Sequence, residues 1–424
     1  MCGDNGDMQS GTSVKPTFLF VSTCRSFSPA RLAMALVNAG GTVKAVCPPR
    51  HPLRKTSAVS QVHTYHGLAP LVSLVGAIAA TKPDLILPFD DVSAAHLHEL
   101  HRRELRRGTA GASTSLLIER SLGAAASFPI VYARTTTMEL AEGEGIRVPK
   151  SAVVRNEEDL RESIGRMGFP LVLKANTTSG GDGVSIVHTL EEARYALRSL
   201  AAPPLLARAL KKALIDQDRT LVWPSLLRRR YVVNAQAFVA GREATSAIAC
   251  WEGIVLASLH FEVLKKQDAG GPSTVLRLIE NPEMSAAAEK MARRLELSGL
   301  HGFDFMLEAQ TGNPYLIEIN PRATQVGHLR LGPGRDLPAA LYAAVTGKAI
   351  QTAPKITEND TIALFPQEWI RNPASPFLTT GYHDVPWEEP DLVEDCVHQL
   401  SKQTAWYLKQ RWIEALLRMR RPRP

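Results

Sequence analysis

Hydrophobic and polar positions change their rhythm along this chain, from strands alternating with helices at the start to paired strands further on. Pro16 to Val21 is a short apolar run that reads as a first strand, and a helical spacing follows from Ala30 to Asn38. The Ala39-Gly40-Gly41 stop precedes a second strand from Thr42 to Val46. A helix from about Pro70 to Thr81 then leads into Asp84-Leu85-Ile86-Leu87-Pro88-Phe89-Asp90-Asp91, an apolar strand ended by two acids. This alternation predicts a parallel, doubly wound sheet.

Beyond it the pattern is that of hairpins. Phe169 to Asn176 reads as a buried strand carrying one lysine, Lys174, and runs into Thr177-Thr178-Ser179-Gly180-Gly181-Asp182-Gly183 before Ser185-Ile186-Val187 turns strand-like again. A second pair comprises Gly302 to Leu307 and Tyr315 to Arg322, joined by Glu308 to Pro314, which is rich in turn formers. Residues two apart on a strand share a face. Leu316, Glu318, Asn320 and Arg322 are therefore expected on one side, Ile317 and Ile319 in a core, and Asp304 on the partner strand facing the polar side.

Two carboxylates, an amide oxygen and a guanidinium would then converge. Hard oxygens of this kind bind Mg²⁺, which commonly accompanies nucleotide phosphates. Taken alone, the hairpin is equally well a half-buried one whose acids pair with Arg322. Lys174 changes the picture, because an unpaired buried ammonium is costly and calls for an anion. The glycines beside it let backbone N–H groups approach phosphate oxygens closely. The strand-loop-strand context differs from the strand-to-helix loop of a Walker site, and no GxGxxG follows the first strand, so a dinucleotide site is not supported.

In this order the two motifs resemble those of the ATP-grasp superfamily, and the resemblance covers roughly residues 15 to 350. It implies an α/β (α+β) architecture: a disordered 1–13, a Rossmann-like domain at 14–115 whose Pro88-Phe89-Asp90-Asp91 end faces the ligand cleft, and an ATP-grasp domain at 116–350. Within the latter, a small lid would occupy about 150–230 and a metal-binding part about 231–350; residues 351–424 would form a C-terminal extension. The cofactors implied are ATP and two Mg²⁺ ions, with Mn²⁺ as a substitute. Lys174 and Arg134, the latter in place of the family's second lysine, would hold phosphates, with Ser179, Gly180, Gly181 and Gly183 as their cover. Gln236 would replace the usual hinge glutamate, Phe238 and Val239 would present backbone to the adenine, and Glu243 would support ribose or metal. Asp304, Glu318 and Asn320 would ligate the metal, and Arg322 would hold the substrate carboxylate or the acyl phosphate made from it. Arg277 and a loop carrying Lys265 and Lys266 would approach the γ-phosphate or substrate; Gln325 and His328 would begin the acceptor pocket. The activity implied is an ATP-dependent ligase that phosphorylates a small-molecule carboxylate to an acyl phosphate and joins it to an amine or another nucleophile, releasing ADP and phosphate. The alternatives are a carboxylase or carbamoyl-phosphate-type enzyme activating bicarbonate, and an ATP-binding regulator without catalysis.

Composition narrows the class. The 424 residues exceed the usual size of one domain, and 45% hydrophobic with 21% charged residues is the composition of a globular protein. Five scattered cysteines lack metal spacing and read as free thiols in a cytoplasmic protein. No signal peptide is legible at the N-terminus, and the longest apolar run, Leu68 to Ala80, is too short to span a bilayer. The net charge of +7 is spread along the chain apart from His101 to Arg107, expected as a solvated helix end, and the C-terminus, so no nucleic-acid partner is expected. In the C-terminal segment Leu408, Trp412, Leu416 and Met419 share a helical face, which would dock on the protein body or on a second copy in a homodimer, with a membrane-surface helix as the alternative. Phe365 to Pro390, rich in Pro and Trp, is expected to wrap over the core.

Overall fold

The computed structural model describes residues 15–176, 183–203, 206, 210, 225–228, 230–268, 270–350 and 353–398. Three sheets organise it. The first is parallel, with β1 (Thr17–Val21), β2 (Thr42–Cys47), β3 (Val59–Thr64) and β4 (Leu85–Pro88) in the order β3-β2-β1-β4. Successive residues of β1 enter opposite cores, as strand geometry requires. Leu19 and Val21 pack with Leu74 and Ile78 of helix Pro70–Thr81, while Phe18 and Phe20 pack with Leu32 and Leu36 of helix Ser28–Asn38.

The second sheet is antiparallel and small: β5 (Ser151–Val154), β6 (Leu171–Ala175), β7 (Val184–Val187) and β8 (Val233–Ala237), ordered β5-β8-β6-β7. Helices Glu157–Met167 and Leu190–Ala201 cover one of its faces, each started by a side-chain cap, Asn156 and Thr189.

The third sheet has seven strands: β9 (Gly241–Trp251), β10 (Ile254–Lys266), β11 (Ser273–Leu278), β12 (Gly299–Glu308), β13 (Pro314–Asn320), β14 (Thr361–Ala363) and β15 (Tyr382–His383). Their order is β13-β12-β9-β10-β11-β14-β15, antiparallel except for β14 with β15. One face packs on helices Arg134–Gly143 and Pro282–Arg294, and the other shares the core of Phe18, Leu32 and Leu341 with the first sheet. Gly123 joins the two bodies. It bridges Leu297 at a φ of 104°, and a Cβ there would stand 2.2 Å from the Glu296 carbonyl oxygen.

The Pro- and Trp-rich segment adds β15 beside β14 at the edge of the large sheet and packs Phe365, Trp369 and Leu378 on Phe27 and Met34. The expected solvated end at His101 to Arg107 is only partly so. His101 and Glu104 turn inward on helix Asp91–Arg106, with His101 Nε2 lying 2.6 Å from Glu119 Oε1. The loop Thr177 to Asp182, most of the segment from 204 to 224, the residues before 15 and the C-terminal amphipathic stretch lie outside the described residues.

Candidate active site

The hairpin β12–β13 sets the floor of a deep cleft. Asp304 stands opposite Glu318 and Gly302 opposite Asn320. Between Asp304 and Phe305 the register slips by one residue, leaving Ile317 as an unpaired bulge. Strict alternation therefore fails at one place. Leu316, expected beside Glu318, enters the core, and Ile317, expected in the core, lines the cleft. Glu318 and Asn320 lie on the same side of the bulge and keep their common face.

The polar groups are cross-braced. Asp304 accepts from the Thr245 hydroxyl at 2.9 Å and from Asn320 Nδ2–H at 2.9 Å. Arg322 donates from Nε to Asp91 Oδ1 at 3.0 Å and from Nη2 to Asn320 Oδ1 at 3.2 Å. Arg134, the first residue of its helix, donates from Nη2 to Glu318 Oε1 at 2.7 Å. Burial pushes the Glu318 carboxyl upward, with Asp304 adding to the rise and the positive charges of Arg134 and Lys174 opposing it.

Lys174 descends on the cleft from β6. It is 8% exposed and makes no ion pair within 4 Å among the described residues. Burial pulls its ammonium down to about 8, although Glu318, Asp304 and Glu243 all favour the charged form. Beside it on β8, Asn234 donates to Asn176 Oδ1 and accepts from the Thr135 hydroxyl, both at 2.7 Å, tying the small sheet to the start of the Arg134 helix. Gln236, Phe238 and Val239 continue the wall, with Val172, Ile186 and Met306 supplying apolar surface.

The cleft, about 610 Å³, thus brings together Lys174, Arg134, Glu243, Asp304, Glu318, Asn320, Arg322 and Gln325 with the Gln236 to Val239 stretch. Ser179, Gly180 and Gly181 lie outside the described residues, and Gly183 stands just before β7 with its carbonyl accepting from Ala175 N–H at 2.8 Å. Three expectations are corrected. Lys265 and Lys266 belong to β10 instead of a loop; Lys265 is exposed, and Lys266 reaches the cleft, where it pairs with Glu243 at 2.9 Å. Arg277 is exposed on β11 and does not line the cleft. His328 is buried outside it, with Nε2 held 2.6 Å from Asp384 Oδ2.

Several cleft residues had no motif to announce them: Thr245, the Arg25 to Ser28 loop, and Gln367 from the C-terminal segment. Of the Pro88-Phe89-Asp90-Asp91 end, Phe89 lines the cleft and Asp91 holds Arg322. Asp90 instead caps helix Asp91–Arg106 by accepting from Ser93 N–H at 2.7 Å.

Among the described residues no cluster of three His, Cys, Asp or Glu side chains has metal-holding geometry. Two carboxylates with one amide oxygen are nonetheless a suitable donor set for Mg²⁺, which keeps waters and phosphate oxygens as its other ligands. No helix of the described residues is long and apolar enough to cross a membrane.

A family model described as the carbamoyl-phosphate synthase L chain, ATP binding domain, matches residues 133–329. The N-terminal section of the carbamoyl phosphate synthase large chain from Aquifex aeolicus is 28% identical over 193 residues, 44% of this chain and 31% of that protein. D-alanine–D-alanine ligase from Pelotomaculum thermopropionicum is 28% identical over 199 residues, 44% of this chain and 57% of that one. The chain thus spans less than two thirds of either relative. Among solved structures, the biotin carboxylase domain dimer of the Hydrogenobacter thermophilus 2-oxoglutarate carboxylase, in complex with MgADP, ADP and bicarbonate, superposes with a TM-score of 0.54. It is 14% identical and covers 79% of this chain and 70% of that one. The stretch that matches the family model contains Lys174, the β12–β13 hairpin and Arg322, and the chain has the ATP-grasp fold.

Proposed function

We propose that the protein is an ATP-dependent ligase that phosphorylates a small carboxylate to an acyl phosphate and joins it to an amine, releasing ADP and phosphate. The observation that carries this reading is the convergence of Asp304, Glu318, Asn320, Arg322, Arg134 and the buried Lys174 on one cleft. The small sheet acts as a lid. Val172, Ile186 and Phe238 form its apolar slot for the adenine, and Gln236 marks the hinge. Lys174 and Arg134 hold phosphate oxygens. Arg322, kept in place by Asp91 and Asn320, orients the acyl group in line with the transferred phosphoryl. Asp304, Glu318 and Asn320 would hold Mg²⁺, which supplies charge neutralisation to the phosphates when bound. Closure of the lid over the cleft excludes water, which would otherwise hydrolyse the acyl phosphate.

Bicarbonate as the acid is a second reading, favoured by the bicarbonate bound in the structurally similar biotin carboxylase domain. The test is ADP release from Mg-ATP against separate pools of carboxylic acids, amino acids and amines, and against bicarbonate. Release that requires one carboxylate pool and an amine supports the ligase; release with bicarbonate alone moves the reading to a carboxylase; no release from any pool counts against both.

Lys174 gives the nucleotide site a pH dependence. A phosphate prefers the ammonium form, so binding raises the pKa from its free-protein position near 8. ATP affinity should be flat below pH 8 and fall by about tenfold per pH unit above it. Lys174→Arg, which stays charged, should flatten the profile, as read by calorimetric titration between pH 7 and 9.5 (about the range that brackets the transition). An unchanged slope in Lys174→Arg would remove Lys174 from the phosphate site.

A further inference from the structure

A second cavity, about 470 Å³, runs along helix Ser28–Asn38 and shares no lining residue with the cleft. Its volume falls in the range of small-molecule sites, roughly 300–1,000 Å³. Met34 and Ala35 of that helix, Ala339 and Tyr342 of helix Leu337–Thr346, and Ile356 give it an apolar wall.

The charged groups around this wall are unequally engaged. Arg31 is held by Asp384, with Glu388 3.7 Å away. Asp336 caps its helix by accepting from Ala339 N–H at 3.1 Å. Arg330 is different. Its Nε–H donates to the Pro354 carbonyl at 2.6 Å, and no carboxylate lies within 4 Å of its guanidinium among the described residues. Lys348 adds a second positive charge to the lining. A guanidinium presents forked donors to a planar anion, and the wall beside it suits an apolar body.

We infer that this cavity binds a small carboxylate with an apolar body, its carboxylate on Arg330 and its body between helices Ser28–Asn38 and Leu337–Thr346. The site is separate from the nucleotide cleft, yet the first helix touches both, since Ser28 lines the cleft and Arg31, Met34 and Ala35 line the cavity. Neither ATP binding nor the ligase reaction is needed for the site to exist.

Benzoate, a carboxylate on a rigid apolar ring, is a direct probe. Calorimetric titration of the full chain, with MgADP present to fill the cleft, should give one saturable site. Affinity should fall at least tenfold in Arg330→Ala, which removes the anchor, and in Ala339→Phe, which fills the cavity without changing charge. Benzoate binding should be unmoved by MgADP, and MgADP binding should be the same in both variants as in the wild-type chain. Loss of benzoate binding on adding MgADP, persistence of binding in either variant, or no saturable binding overturns the inference.

Discussion

Glu318→Ala should abolish turnover, with a loss of about a thousandfold or more, while leaving the fold intact. Glu318 carries three relations at once: it faces Asp304 across the hairpin, pairs with Arg134 at 2.7 Å, and opposes the charge of Lys174. Removing it deletes one of the cleft's two hairpin carboxylates and leaves Arg134 and Lys174 without their shared counter-charge. Nucleotide binding should therefore change less than turnover, because Arg134 and Lys174 still attract phosphates while the alignment of the transferred group is lost. Glu318→Gln sharpens the test. It keeps the size of the side chain and an oxygen for Arg134 but removes the charge, so it should be nearly as inactive. The measurement is ADP release at saturating ATP, beside ATP affinity by calorimetry and the unfolding transition. Near-normal turnover in both variants would sink the metal assignment even if ATP still bound.

What made this site legible in the sequence is its local part. Lys174 stood out as a charge inside an apolar strand, and Asp304, Glu318, Asn320 and Arg322 lie within two adjacent strands, where period two fixes their common face. The same rule misassigned Leu316 and Ile317. Both are apolar, so the pattern carries no mark of the bulge that exchanges their faces. Side chains that reach the cleft from far along the chain were harder. Arg322 meets Asp91 across 231 positions, and Gln367 arrives on a segment whose composition suggested only a wrap. His328 shows the converse error. Its closeness in sequence to Arg322 suggested the acceptor pocket, but the chain lines the cleft only as far as Val326 and then delivers the ring to Asp384. Lys266 was placed in a loop because the sequence around it is polar. The structure instead extends β10 through it, since its strand partners on β11 continue to Ser273. Pairing partners, which only the tertiary fold supplies, decide such ends.

The largest stability effect is expected at Asp384, a residue far from the proposed chemistry. Its carboxylate is 1% exposed and is held on one side by the Arg31 guanidinium and on the other by His328 Nε2 at 2.6 Å. Three segments meet there: helix Ser28–Asn38, the turn after Arg322, and the β15 end of the C-terminal segment. Burial alone would raise the Asp384 carboxyl; the charges and hydrogen bonds of His328 and Arg31 outweigh it and hold the group far below the usual carboxylate range. A folded pKa below the unfolded value contributes stability that is fully present above the unfolded pKa, about 4, and is lost as pH falls through the folded one. Asp384→Ala removes that contribution at neutral pH and strands a buried guanidinium, which typically destabilises by about 3–5 kcal/mol. The unfolding temperature of a chain this long should drop by roughly 3–6 °C. It should also respond less to acid between about pH 4 and 2 than the wild-type chain, because the titrating carboxylate is gone. Replacing Arg31 and Asp384 together by Met and Leu should recover most of the loss, since the guanidinium is then no longer buried without its partner and His328 can stay neutral. Thermal unfolding of the three proteins at pH 7 and at about pH 2.5 distinguishes the cases. A single variant as stable as the wild type at pH 7 would show that the triad holds nothing together, and a double variant no better than the single would show that packing, and not the stranded charge, was what Asp384 supplied.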